Sequence, residues 1–499
     1  MNIFARKTLD ELNEEARAEG HGTLKRTLGP VNLVLLGIGA IIGAGLFVRT
    51  AAAAAEHAGP SVTLSFIVAA IGCALAGMCY AEFSAMTPVS GSAYTYSYAT
   101  MGELFAWIIG WDLVLEYALG AATVAIAWSQ YLNKLIESFL GPAYMIPYQF
   151  CHSPFESKMI DDKLVTGLIN LPAIFILLIL TLILVRGIKE SAFFNAIVVS
   201  VKVLIVILFI ALGWQFINPA NHSPFIPEVT TVKDAVTGTE HAFGGLWGIL
   251  GGAGVVFFAF IGFDAVSTVA QETKKPERDM PIGILGSLIV CTILYILFSW
   301  VLTGIAPYQD FRDPDKGKEA SVAYAIETYM TGYGALSGFI TVAILFGFSS
   351  VILVMLLGQS RVFYSMARDG LVPKVFSELH PLYNTPSKSN WIFFVFVALF
   401  AAFIPDSVVG DMTSIGTLFA FALVSIGIII MRKSDPHAPR PFRTPLVPLV
   451  PILAVLVCGA MIAGLGLGNW VRLGVWLAIG LVIYFAYGVR NSRVQLSRK

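Results

Sequence analysis

Charge is what this sequence has least of. Only 13% of its 499 residues are Asp, Glu, Lys or Arg and 57% are hydrophobic, whereas about a quarter of an average soluble domain is charged. So little charge cannot cover a water-facing surface of this size, and lipid is the expected solvent. The 32 basic and 32 acidic residues cancel, so no nucleic-acid surface is implied. Cysteine is scarce as well. Of Cys73, Cys79, Cys151, Cys291 and Cys458, four lie in apolar runs, which excludes a disulfide framework or zinc cage as the organising device. No G-x-x-x-x-G-K-[ST] loop occurs, so a nucleotide-driven pump is set aside. The seven histidines fall in expected loops or at helix ends without an HExxH pair. No catalytic residue, metal ligand or cofactor is therefore assigned. Residues 1–29 are polar and end in Leu24-Lys25-Arg26-Thr27, without the pattern of a signal peptide.

Long apolar runs are what the chain has in excess. A helix needs about 20 apolar residues to cross a bilayer. Such runs recur at 31–54, 61–86, 102–134, 165–186, 192–217, 244–270, 281–306, 335–366, 389–405, 411–431, 445–467 and 472–489. They predict an all-α integral membrane protein of twelve transmembrane helices, with both ends on one side. Basic residues stay on the cytoplasmic side. Placing the ends there gives that face Arg26, Lys274, Lys275, Arg278, Arg368, Arg432 and Arg443 among others, and leaves Arg49, Lys134 and Arg472 among the few outside. The expected location is the cell (cytoplasmic) membrane, multi-pass, with cytoplasmic N- and C-termini. Loops 135–164 and 307–334 mix acids with bases and read as solvated connections.

Two spans carry the marks of a break. The first holds Gly37-Ile38-Gly39-Ala40-Ile41-Ile42-Gly43-Ala44-Gly45-Leu46, and the sixth holds Gly251-Gly252-Ala253-Gly254 followed by Phe257-Phe258-Ala259-Phe260-Ile261-Gly262-Phe263-Asp264. Each glycine weakens a helix by about 1 kcal/mol relative to alanine. Paired interruptions in corresponding positions point to inverted repeats with a binding site at the breaks. An unwound helix offers free N–H groups and a positive dipole end to a carboxylate, and freed carbonyls to an ammonium group, so a zwitterion is the matching ligand. Gly37, Gly39, Gly251 and Gly252 are read instead as close-packing positions between helices.

At these residues the sequence resembles the amino acid–polyamine–organocation superfamily, and within it the cationic amino acid transporter branch. The resemblance runs from about 25 to 490. It is strongest from Tyr80-Ala-Glu-Phe-Ser-Ala-Met-Thr-Pro to Tyr94, in Gly102-Glu103 and Gly110-Trp111-Asp112-Leu-Val-Leu-Glu116-Tyr117, and from Phe257 to Pro281 with Gln271-Glu272-Thr273. It implies a leucine-transporter-type 5+5 inverted repeat plus two C-terminal helices. The corresponding divisions are a cytoplasmic tail 1–30, a first repeat 31–217, a second repeat 244–431, two added helices 445–489 and a tail 490–499. It also implies that Ala44 and Gly45, with Gly43, receive the substrate carboxylate through their amides. The carbonyls of Ile41, Phe258 and Ile261 would receive its amino group, and Phe258 would be an aromatic lid.

Four of the ionisable residues inside the spans are singled out. Lys202 sits in the fifth, in Ser200-Val201-Lys202-Val203. An ammonium at mid-membrane costs roughly 3 kcal/mol or more, so Lys202 is expected to load and release a proton and to couple transport to it. The alternative is that it snorkels to the cytoplasmic interface. In similar transporters a lysine here replaces a sodium ion between the first and eighth helices, a place that Ser349 and Ser350 would line. Glu116 and Asp264 are candidates for a cationic substrate side chain, or else for holding loose backbone. Asp112, one turn before Glu116, reads as part of a polar cluster. Thr413, Ser414, Gly416 and Thr417 resemble a family segment at the outer gate. The run Glu272 to Asp279 reads as a solvated loop, the alternative being salt bridges that close the cytoplasmic mouth.

The expected function is secondary active transport of L-amino acids, cationic or small neutral, by proton-coupled symport. Arginine, lysine, ornithine and alanine are the expected substrates, with the proton and the lipid bilayer as the other partners. Exchange of amino acids is the alternative, and a non-transporting sensor is a remoter one. The pocket floored by Gly262 leaves preference among the substrates open.

Overall fold

Backbone in lipid has no water to bond, and a helix satisfies its N–H and C=O groups internally. The computed structural model describes residues 3–8, 11, 28–86, 92–160, 163–187, 192–233, 240–313 and 320–497, and it is helical where the apolar runs lie. The principal helices are α1 (Pro30–Ile41), α2 (Val62–Met86), α3 (Glu103–Val114), α4 (Gly120–Leu140), α5 (Leu171–Arg186), α6 (Ala192–Gly213) and α7 (Gly245–Phe257). They continue as α8 (Pro276–Ile305), α9 (Gly334–Arg368), α10 (Ser387–Phe403), α11 (Asp406–Ser434), α12 (Leu449–Gly464) and α13 (Leu467–Ile483). Among the described residues, eight helical stretches are long and apolar enough to cross a membrane, and α1, α5, α10 and α12 are shorter apolar helices.

Local sequence sets the ends. At α5, the Asn170 side chain accepts from the Ala173 amide at 3.2 Å, Pro172 stands in the first turn, and Gly187 ends the helix at φ +89°. Each device satisfies or removes a terminal backbone group. Small residues then set helix approach. A Cβ on Gly37 of α1 would lie 2.5 Å from Ser287 Oγ of α8, one on Gly283 of α8 would lie 2.7 Å from Leu33 Cβ, and one on Gly77 of α2 would lie 2.8 Å from Leu288 Cδ1. Bare Cα atoms thus let α1, α2 and α8 pack closely. Gly251 and Gly252 abut His57 and Ser65 in the same way, which agrees with the packing role read for them.

The expectation of purely helical structure needs one correction. Two antiparallel hairpins stand on connections, β1 (Ser157–Ile160) with β2 (Lys163–Thr166) and β3 (Thr230–Lys233) with β4 (Glu240–Phe243). Loop backbone outside the apolar runs is free to pair as strands because water can solvate the edges.

Both chain ends meet on one face. The carbonyls of Ala5 and Ile3 accept from the Glu103 and Leu104 amides, both at 3.0 Å, and so satisfy first-turn donors of α3. Lys7 Nζ pairs with Asp369 at 2.6 Å. The buried Glu103 carboxylate accepts from Tyr98, from Tyr484 at 3.0 Å and from Ser492 near the C-terminal end. On this same face Glu82 of α2 takes a bidentate pair from Arg432 at 2.9 and 2.8 Å, a contact from Arg440 at 3.3 Å and the Thr444 amide at 2.8 Å. That cluster fastens the α11–α12 connection to α2.

Candidate functional site

Helix α1 stops at Ile41, Ile42 is extended at φ −74° and ψ 105°, and helical geometry resumes with the π-turn Gly45–Arg49. The carbonyls around this break have identifiable partners. Ile42 N donates to Ile38 O at 2.9 Å, and Leu46 N and Phe47 N donate to Gly43 O at 3.2 and 3.4 Å. Lys202 Nζ donates to Gly39 O at 2.8 Å and Ile42 O at 3.3 Å. Tyr295 of α8 donates to Ile41 O at 3.1 Å and to Ala259 O of the other break at 2.9 Å. The amides of Gly43, Ala44 and Gly45 lead the resumed helix, where first-turn donors lack intrahelical acceptors.

Helix α7 ends at Phe257 and passes through the 3₁₀ turn Phe258–Phe260. Ile261 is then extended at φ −59° and ψ 135°, and Gly262 adopts φ +114°. A side chain at Gly262 would be strained by that backbone, and its Cβ would sit 3.0 Å from the Ala40 carbonyl group. Ile261 N donates to Phe258 O at 3.3 Å, so that carbonyl is engaged in the turn. Among the described residues the Ile261 carbonyl has no donor. The two breaks meet backbone to backbone, since a Cβ on Gly45 would fall 2.2 Å from Ala259 Cα. Phe258 is buried at the start of its turn.

A carboxyl cluster adjoins the second break. Glu116 lies in a π-turn, Leu115–Leu119, inserted in the third span; such turns are frequent at functional sites. Tyr117 Oη donates to Asp264, whose carboxyl neighbours that of Glu116. Asp112, Glu116 and Asp264 are all buried. Both oxygens of Asp112, the Tyr80 hydroxyl, the Ser414 hydroxyl and the Gln359 amide meet no partner among the described residues, and the Glu116 carboxyl has only that of Asp264. Buried polar groups are ordinarily paired, so these atoms mark where the polar end of a solute could be received. Gly358 of α9 lies against the Tyr117 ring, and Gly416 of α11 against Asp112.

The sequence-predicted residues thus come together in part. Ile41, Gly43, Ala44, Gly45, Phe258, Ile261 and Gly262 form the paired breaks, with Glu116 and Asp264 beside them. Lys202 is 3% exposed and turned to the first break rather than to the membrane surface. Ser349 and Ser350 donate to Leu345 O and Gly347 O of their own helix, at 2.9 and 3.0 Å. Gly347 is the α9 residue against the Lys202 stem, its Cβ position 3.2 Å from Cε. Thr413 and Thr417 likewise bond back onto α11. The side chains of Gln271 and Glu272 lie outside the described residues.

Three features escaped sequence reasoning. Tyr295 stands in an apolar run that gives no sign of its role in joining the breaks. Gln359 reads as an isolated amide. Arg49, counted only as an outer-face base, is 2% exposed and pairs with Asp411, with Asp406 at 3.8 Å. This ties the helix beyond the first break to the start of α11.

A model of the amino acid permease family matches residues 28–485. The chain is 43% identical to a branched-chain amino acid permease of Bacillus subtilis over 99% of each chain. It is 39% identical to a methylthioribose transporter of the same bacterium, over 98% of this chain and 99% of that one. It is 33% identical to the vacuolar cationic amino acid transporter 4 of Arabidopsis thaliana, over 87% of this chain and 68% of that one.

Proposed function

The chain belongs to the amino acid permease family of the amino acid–polyamine–organocation superfamily, and from that premise we propose that it is a secondary carrier of L-amino acids working by alternating access. The observation that carries this reading is the meeting of two helix breaks, with leading amides at Gly43–Gly45 and an undonated Ile261 carbonyl. The amides suit a carboxylate and the carbonyl an ammonium group. Ile41 and Phe258 are weaker amine acceptors in this reading, because their carbonyls already take Tyr295 and Ile261 N. Glu116 and Asp264 would receive a cationic side chain, arginine, lysine or ornithine, while alanine or a branched-chain amino acid would be held by the backbone groups alone, since Ala40 fills the space beside Gly262.

In the proposed architecture twelve spans form 31–217 and 244–431 as inverted repeats of leucine-transporter type, followed by 445–489. Tails 1–30 and 490–499 face the cytoplasm. The broken first and sixth spans at equivalent positions and the face shared by the chain ends support it. The Arg49–Asp411 pair would close the opposite mouth.

Lys202 is the proposed proton carrier. Protonated, it donates to the Gly39 and Ile42 carbonyls and holds the first break in shape; on losing the proton it has fewer hydrogens and no charge to hold them. Ser349 and Ser350 are at most neighbours in this step, since their hydroxyls bond their own helix. Purified protein in proteoliposomes should accumulate labelled amino acid under an inward proton gradient, and Lys202→Ala should abolish that drive. Uptake indifferent to the gradient but dependent on internal amino acid would replace symport by exchange.

The methylthioribose transporter among the relatives motivates a second reading, since that solute has neither a carboxylate nor an amine. Competition of methylthioribose with labelled amino acid in the same vesicles separates the two.

A further inference from the structure

The face that carries the chain ends has a groove outside the carboxyl cluster and the breaks. It has a volume of about 620 Å³ and is lined by Glu277, Arg278, Pro281, Ile282, Leu285, Gly286, Pro441 and Phe442. One wall is the first turns of α8, and the other is the corner of the α11–α12 connection that Glu82 fastens to α2. The groove is apolar along its length and charged at its rim. Arg278 is exposed, as are Lys274 and Lys275 just before it and Arg443 next to Phe442. Among the described residues none of these four has an acidic partner. Glu277 is the one acid in the lining, so the rim is net positive.

Below the rim the groove opens onto a stripe of α8. Ile282, Ile289, Ile293 and Leu297 are exposed, and with Gly286 they are spaced by three or four residues, which places them on one helix face. From Ile282 to Leu297 the helix rises about 22 Å, more than the roughly 15 Å of one hydrocarbon leaflet. An occupant with an anionic head and a long apolar tail meets both parts. At Gly286 a Cβ would lie 2.9 Å from Val34 Cγ2 of α1, so the groove floor reaches the half-helix that ends at the first break.

We propose that this groove binds an anionic phospholipid, its phosphate held at the Arg278 and Arg443 rim and an acyl chain laid along Ile282 to Leu297. The same geometry rejects a soluble phosphate ester, which leaves the apolar stripe uncovered, and disfavours a zwitterionic head, whose ammonium has only Glu277 to meet beside Arg278 and the exposed bases that flank the groove.

Native mass spectrometry of the delipidated full chain, given equal phosphatidylglycerol and phosphatidylethanolamine, tests the assignment. The wild type should retain phosphatidylglycerol in preference. Arg278→Ala with Arg443→Ala should lower that retention roughly 30-fold, from the attraction lost with two basic residues near a surface. Arg278→Lys with Arg443→Lys should keep it, as should Lys374→Ala on another element, and an unchanged melting temperature shows that the variants are folded. Equal retention of the two lipids, or no loss in the alanine variant, would overturn the site. An equal loss in Lys374→Ala would assign the effect to diffuse surface charge, and displacement by millimolar glycerol phosphate would assign the rim to a soluble ester; either result also overturns it.

Discussion

Single residues decide how the two breaks are held. Tyr295 places one hydroxyl between Ile41 O and Ala259 O, and no other side chain among the described residues bonds both breaks. Removing a donor from a buried acceptor costs about 1–3 kcal/mol. Tyr295→Phe should therefore lower the melting temperature in detergent and weaken amino acid binding together; unchanged values in both would show that the hydroxyl does not brace the site. The glycines of the breaks were legible in the sequence because Gly43 and Gly45, each weakening a helix by about 1 kcal/mol, have a counterpart in Gly262 at the corresponding place in the sixth span. Tyr295 was not, because its meaning lies in carbonyls 254 and 36 residues away, and a tyrosine in an apolar run looks the same when it merely packs. Gln359 was missed for the same reason. Lys202 was legible because an intramembrane ammonium demands a partner, although which carbonyls supply it required the fold.

Some helices were read nearly to their ends, since lipid leaves apolar backbone one option, but the connections were not: 307–334, expected as a solvated connection, holds the largely buried helix Ser321–Tyr329. The expected 61–86 is observed as Val62–Met86, and 335–366 as Gly334–Arg368. The hairpins were not legible, because four-residue strands on polar connections carry too short a pattern to register. Ion pairs between elements also eluded the sequence. Arg49 and Asp411 lie 362 residues apart, and only the fold shows that they couple the helix beyond the first break to α11. A double-mutant cycle of Arg49→Ala and Asp411→Ala on thermal stability should give a coupling of roughly 1–3 kcal/mol; additive single effects would show that the two elements are held by something else. Glu82 is the second fastening. Its loss leaves Arg432 and Arg440 without their shared carboxylate, and breaking a buried pair from one side costs about 3–5 kcal/mol. Glu82→Gln should lie toward the lower end, because Arg440 keeps carbonyl partners at Pro436 and Ala438. A variant that melts with the wild type would remove Glu82 from the account of stability.

Across the whole molecule, elements from both halves of the chain bring two broken spans against each other, with a buried lysine on the first break and a carboxyl cluster beside the second. Main-chain recognition of a zwitterion predicts a graded response to which polar end the ligand keeps. The α-carboxylate needs the Gly43–Gly45 amides and the α-ammonium needs the Ile261 carbonyl, so deleting either end removes one of the two converging sets. Ligand stabilises the folded state by an amount that grows with its concentration over its dissociation constant, which makes melting temperature a readout of each contact. The most direct test is thermal unfolding of the purified protein with the L-amino acid that stabilises it best, beside its methyl ester and its α-hydroxy analogue. Stabilisation by the free amino acid alone is the predicted result, and equal stabilisation by the ester or the hydroxy acid would contradict recognition by the broken helices.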